Sequence, residues 1–191
     1  PRKSSVTDDS LLARQQYRCV GCGEALQKAF LGIPGAKVDY APCRHHGGLF
    51  CKRWCHAGNR SAIPSRVMQD LDTGTSRVCE QSREFLLSIT DKPVFDMSKL
   101  APALVEHTQA LRFAREKRRK IITTLQKLDE TDETDGLLQQ HLEGIISESI
   151  GLHRAYLCVS DSLYSFRDLL RIRDGEFVRA LIKTERGLLK I

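Results

Sequence analysis

The sequence predicts a mainly α fold: a helical body preceded by an N-terminal cysteine-rich knuckle containing short β-hairpins. Three observations carry this. Five of the seven cysteines, with three of the six histidines, fall between Cys19 and His56. From Pro64 onward, apolar residues recur at helical spacing. An acidic run, DETDETDG over 129–136, separates two of the helical stretches.

The elements follow in order. Residues 1–16 read as a flexible lead-in, with a short helix over Leu11–Tyr17. Residues 17–62 form the knuckle. They are rich in Cys, Gly, His and Pro and too poor in periodic apolar residues to pack a core unaided. Gly47-Gly48 suits a hairpin turn there. Residues 63–191 form the body. A short helix is expected over 65–72, and a second over Arg77–Thr90 with Cys79, Phe85, Leu86 and Ile89, ended by Pro93. Ser98 is placed to cap a long helix reaching Leu128. Its stripe of Leu104, Leu111, Ala114, Ile121, Leu125 and Leu128 is broken by His107 and Arg118. After the acidic turn a helix carries Leu138, Leu142, Ile145 and Ile146 on to about Tyr156. Ser165 and Asp168 have capping-box spacing ahead of Phe166–Ile172. A last helix from Gly175 carries Phe177, Leu181 and Ile182.

Composition excludes several classes. At 41% hydrophobic and 28% charged residues, the chain can support a core beneath a hydrophilic surface. No apolar run reaches the roughly 18–20 residues of a membrane span, and no signal peptide opens the chain. The start at Pro1 suggests a piece of something longer. An odd, crowded set of cysteines argues for metal binding in a reducing compartment over a secreted disulfide framework. The net charge of +6 is segmental: ten Lys and Arg against four acids over 1–60, eight against two over 98–128, and seven acids with no Lys or Arg over 129–150. Basic faces of this kind suit a membrane surface or an acidic partner, and the acidic block argues against nucleic acid. If the helices flanking the acidic turn pack antiparallel, the two charge blocks face one another. Hydrolase and transferase signatures such as G-x-S-x-G, the P-loop and H-E-x-x-H are absent, and His107, His141 and His153 read as packing or surface residues, so the chain reads as a non-enzyme.

The metal signal is specific. Cys19-Val20-Gly21-Cys22-Gly23 is a CxxC knuckle whose tight turn lets two thiolates converge on one ion. Cys51, Cys55 and His56 form a second cluster, and Cys43 lies between. Thiolate and imidazole donors suit zinc, and the absence of a nearby carboxylate base suits a closed structural site. Six donors are too many for one tetrahedral ion and two short of two separate ions. His45 and His46, or cysteines beyond Ile191, are the candidates to complete a second site. Cys79 and Cys158 read as ordinary buried thiols.

Several motifs together resemble the Rubicon-homology domain, found in Rubicon and in pleckstrin-homology-domain family M adaptors. YRCVGCG is similar to the opening signature of that family. Cys43 to Cys51 with Phe50 resembles its central segment, and CHAGNRSAIPSRVM its Cys-His pair followed by a helix start. LLSITDKPVFDM and LYSFRDLLRIRDGEF resemble its later motifs. There are two departures. The chain has Cys51-Lys52-Arg53-Trp54-Cys55-His56 where the family shows a CxxCH one residue shorter, and the family continues with further CxxC-type ligands where this sequence reaches Leu188–Ile191. The resemblance implies one or two structural zinc ions and a late-endosomal Rab small GTPase as partner, bound in its GTP form. It implies a place on late endosome, lysosome and autophagosome membranes, facing the cytoplasm. The contacts expected for the Rab are Leu111, Arg112, Arg115 and Arg119 on the long helix, with Tyr164 and Phe166 beyond it.

Two rivals come from other classes. Arg44, His45 and His46, with Lys52 and Arg53, are similar to the basic signature by which FYVE zinc fingers bind phosphatidylinositol 3-phosphate. Gly47, however, stands where that pattern wants cysteine. The order of Cys19, Cys22, Cys43, a histidine and Cys51 is RING-like, which would make a ubiquitin ligase, but the last cysteine pair of that pattern is missing.

Overall fold

The computed structural model describes residues 8–26, 38–129 and 136–191. The expectations for residues 1–7 and for most of the acidic turn lie outside them. The described residues fall into two compact units: one up to Ile63 together with Thr73–Ser88, the other Pro64–Asp72 together with Ile89–Ile191.

The first unit holds α1 (Asp8–Arg14), which begins ahead of the expected Leu11. Three-residue strands follow: β1 (Tyr40–Pro42) pairs antiparallel with β2 (Leu49–Cys51), Tyr40 opposite Cys51. Their turn is closed by the Cys43 amide on the Gly48 carbonyl at 2.9 Å, with Gly47 at a φ of +83° that favours glycine. β3 (Arg60–Ala62) pairs antiparallel with β4 (Thr75–Arg77), and α2 (Pro64–Asp70) intervenes between them in sequence. The expected helix from Arg77 therefore begins later, as α3 (Glu80–Ile89). Leu49, Phe50, Val78 and Leu86 are buried in this unit. With so small an apolar core, strands this short need an added staple.

The second unit is helical apart from β5 (Phe95–Asp96), which pairs with a later strand. The expected long helix over 98–128 is instead three: α4 (Met97–Leu100), α5 (Pro102–His107) and α6 (Gln109–Asp129). Pro102, which lacks an amide donor and clashes with the preceding turn, sits at the first position of α5. Thr108 is extended at its end. The cap is Asp96, whose Oδ1 accepts from the Ser98 amide at 3.1 Å, and not Ser98. α7 (Gly136–Ser149) also stops before the expected Tyr156. Gly151 has a φ of +83°, and a 3₁₀ helix, Leu152–Cys158, follows.

β6 (Leu163–Tyr164) closes on β5, with Phe95 opposite Tyr164. The capping box forms as expected: Ser165 Oγ accepts from the Asp168 amide, and Asp168 Oδ2 accepts from the Ser165 amide at 3.0 Å, opening α8 (Phe166–Ile172). The last helix, α9 (Glu176–Leu188), packs along α6 and also meets α7 and α8.

Among the described residues, the basic block pairs with acids outside the 129–150 block. Lys117 binds Glu185 at 2.6 Å, while Arg115 and Arg119 both bind Asp161. Those acids lie on α9 and before β6, because α6 spends its packing face on α9. No helix of the described residues is long and apolar enough to cross a membrane.

Candidate metal centre

The backbone builds a pocket for thiols from two turns. In the first, the Cys19 amide donates to the Glu24 carbonyl at 2.8 Å and the Gly23 amide to the Cys19 carbonyl at 2.9 Å. This curls the chain so that Cys19 and Cys22 face the same side. Gly23, at a φ of +75°, permits the curl. Gly21 leaves room for the other half of the site: a Cβ there would meet Cys55 Sγ at 2.8 Å. In the second turn, Cys51 ends β2 and its carbonyl accepts from the Cys55 amide at 3.3 Å.

The four sulfurs of Cys19, Cys22, Cys51 and Cys55 lie within 4.8 Å of one another. Cys22 and Cys51 approach to 3.6 Å. Zinc–sulfur bonds of about 2.3 Å in a tetrahedron place sulfurs about 3.8 Å apart, so the donor set fits a zinc ion. The Cys51 amide also donates to Cys19 Sγ at 3.3 Å. Burial would raise the Cys19 thiol, but the amides of Cys22, Cys51 and Gly21 outweigh it and bring it down to about 7. Burial raises Cys51 and Cys55, with the neighbouring thiols adding to the shift. Cys19 is thus shifted toward the thiolate, while Cys51 and Cys55 favour the thiol, so a bound metal would take up the charge of the cluster.

The remaining expected donors lie elsewhere. Cys43 faces Cys79, with Ser82 Oγ between them at 3.3 Å from Cys43 Sγ and 3.2 Å from Cys79 Sγ. The His46 amide donates to Cys43 Sγ at 3.4 Å. The extra residue between Cys51 and Cys55 does not stop these two thiols from converging on Cys19 and Cys22. His56 is buried, and its Nε2 has no hydrogen-bond partner among the described residues. His45 stacks on Phe85 and His46 meets Phe50 edge-on, so neither ring joins the four-thiol cluster. Cys79 was legible only as a buried thiol, because its partner is supplied by the β3–β4 pairing and the start of α3 rather than by a motif spacing.

A family model described as the Rubicon Homology Domain matches residues 41–190. The chain belongs to the Rubicon homology domain family. Its relatives share the domain at low identity. It is 25% identical over 178 residues to pleckstrin homology domain-containing family M member 3 of Xenopus laevis, covering 90% of this chain and 21% of that protein. It is 26% identical over 176 residues to the mouse run domain Beclin-1-interacting and cysteine-rich domain-containing protein, covering 92% and 17%. It is 25% identical over 169 residues to human protein associated with UVRAG as autophagy enhancer, covering 87% and 23%. The chain thus spans about a fifth of the length of these relatives.

In this Rubicon homology domain the expected partner contacts divide by burial. Leu111, Tyr164 and Phe166 are core residues, at 0%, 1% and 2% exposure, so they give a partner nothing to touch. Helical periodicity turns Leu111 inward with Ala114, and the β5–β6 pairing places Tyr164 inside. Arg112 and Arg119 are exposed, and Arg115 is half-buried beside them. With Val105, Glu106 and Glu116 they line a shallow groove of about 400 Å³. Asp161 holds Arg115 and Arg119 through their Nε atoms at 2.9 and 2.6 Å.

Of the lipid candidates on the same Rubicon homology domain, Arg44, Lys52 and Arg53 are exposed. Lys52 is turned to the Val38 carbonyl at 2.7 Å, and Arg53 lies 5.0 Å over the exposed Trp54 ring. Burial and then the neighbouring His46 lower the pKa of His45, which disfavours the imidazolium that a phosphate would need.

Proposed function

We propose that this Rubicon homology domain is a non-catalytic, zinc-stabilised binding module. Its partner is a late-endosomal Rab small GTPase in the GTP form, on late endosome, lysosome and autophagosome membranes. The observation that carries this reading is the exposed arginine face of α6: Arg112, Arg115 and Arg119 beside one groove, with Asp161 fixing two of them. Pre-positioned guanidinium groups lose little freedom on meeting acidic and carbonyl groups of a partner. The GTP form of such a partner orders its switch segments, and a rigid helical face discriminates by fitting only the ordered arrangement. Family membership supports the setting, since one relative's name refers to autophagy and another's to Beclin-1.

Zinc at Cys19, Cys22, Cys51 and Cys55 would tie α1, the knuckle and β2 together, supplying the staple that the first unit needs. A second ion lacks such support: Cys43 and Cys79 meet around Ser82 Oγ, and among the described residues no third donor joins them. The second reading, phosphatidylinositol 3-phosphate binding through Arg44, His45, His46, Lys52 and Arg53, is favoured by the exposure of three of those cations and disfavoured by the lowered His45.

The test is interferometry of the zinc-loaded chain against a panel of Rab proteins locked with GTP or GDP. Selective capture of a GTP form supports the reading, and equal binding of both forms or of neither contradicts it. Vesicles containing phosphatidylinositol 3-phosphate, run alongside, address the second reading.

A further inference from the structure

α9 carries a second basic feature that the GTPase reading does not use. Arg179, Lys183 and Arg186, followed by Lys190 in the closing turn, recur at intervals of four, three and four residues. At 1.5 Å per residue they form a line about 16 Å long on one helix face. All four are exposed. They form one wall of a groove of about 580 Å³ between α9 and α7, floored by Ile145 and Ile182. Opposite them stands a single acid, Glu148, whose backbone carbonyl accepts from Lys183 Nζ at 3.1 Å. At one end the two helices approach closely: a Cβ on Gly187 would stand 2.7 Å from Ile145 Cγ2.

These cations differ from those of α6. Arg115, Lys117, Arg119 and Lys120 all have carboxylate partners. Among the described residues, none of the four on the α9 line has an ion-pair partner. Like charges three and four residues apart destabilise the helix that bears them, and an anion laid along the line relieves that repulsion.

We propose that the α7–α9 groove binds an acidic, amphipathic peptide segment of a partner protein. The charge pattern selects its acids, and the two isoleucines select an aliphatic anchor. A phosphorylated headgroup needs cations converging on one point, whereas these are strung along the helix. A bilayer offers no fixed spacing of acids to match the line, and a nucleic-acid backbone has no aliphatic group to place on the isoleucines. The groove combines an apolar anchor site with charged walls, as in helix-in-groove recognition. It is separate from the α6 arginine face, so its test stands or falls independently of the GTPase reading.

The experiment is fluorescence anisotropy of the whole zinc-loaded chain with a fluorescein-labelled helical peptide of about 16 residues, long enough to span the line. Its glutamates repeat the four, three, four spacing, with leucines on the adjoining face. Saturable binding is expected, weakened about tenfold or more by the combined Arg179→Ala, Lys183→Ala and Arg186→Ala substitutions, a loss of about 1.4 kcal/mol. Arg186→Glu alone, with thermal melting followed by circular dichroism, secures the comparison if the triple variant folds poorly. The same variants should leave GTPase binding unchanged. Equal binding by wild type and variants overturns the proposal. So does equal affinity for a peptide with serine in place of leucine. Polyuridylate or phosphatidylcholine–phosphatidylserine vesicles that bind more tightly than the peptide, and lose affinity on the same substitutions, would assign the groove to those ligands and overturn it too.

Discussion

The guanidinium of Arg118 lies 4.4 Å over the ring of Tyr164, and both side chains are buried. Arg118 donates to the carbonyls of Leu157 at 3.3 Å and Leu163 at 2.7 Å, and also to Ser160. A cation has thereby become the pin that holds the segment between the 3₁₀ helix and β6 onto α6. Arg118→Met leaves those carbonyls without a donor, and hydrogen bonds to charged groups contribute about 1.5–3 kcal/mol each. The variant should lose about 3 kcal/mol, read from the midpoint of urea unfolding at unchanged slope.

Arg118 also marks where the sequence stopped being legible. Leu111, Ala114 and Ile121 declared the buried face of α6 by their spacing, and Arg118 falls on that same face. Periodicity scores a charge as a break because it cannot see carbonyls arriving from residues about forty positions away. The Ser165–Asp168 capping box was legible because its partners are three residues apart. The single helix expected over 98–128 failed at Pro102 and Thr108, where local stereochemistry outweighed the apolar pattern. In the metal centre, CxxC spacing announced Cys19 and Cys22, and convergence with Cys51 and Cys55 follows that announcement. The pairing of Cys43 with Cys79 depends on how β4 and α3 return to the knuckle, and no motif encodes it.

The four-thiol cluster should account for one zinc ion per chain. Cys51→Ser removes a donor from it and should lower bound zinc by one ion, measured by elemental analysis of the gel-filtered protein, with loss of the cooperative unfolding of the first unit. Cys43→Ser leaves the four donors intact and should retain that ion.

Asp161 predicts a pH dependence. Burial raises its pKa, but the bonds from Arg115 and Arg119 outweigh this and hold the carboxyl below the usual carboxylate range. A depressed pKa contributes stability that is fully present above the ordinary value of about 4 and is lost as pH falls through the depressed one. Asp161→Asn should therefore cost about 1 kcal/mol at neutral pH, near the upper end for partly exposed pairs. The gap between wild type and variant should close in strong acid, as followed by urea unfolding across a pH series.

Gly187 sets the α7–α9 approach. Gly187→Ala gains about 1 kcal/mol of helix propensity but drives a methyl into Ile145, and overpacking costs about 1–3 kcal/mol. The net effect should be destabilising by up to about 2 kcal/mol. In an Ile145→Ala background the same change should become stabilising, which a double-mutant cycle of urea unfolding would read as a change of sign.

The most direct test of the proposed function is the calorimetric affinity of the zinc-loaded chain for a GTP-loaded late-endosomal Rab, before and after Arg112→Glu and Arg119→Glu. A loss of about a hundredfold or more, roughly 2.7 kcal/mol, is expected, with zinc content preserved and thermal stability lowered only by the lost Arg119–Asp161 pair. An affinity that the two charge reversals leave unchanged would contradict the proposed function.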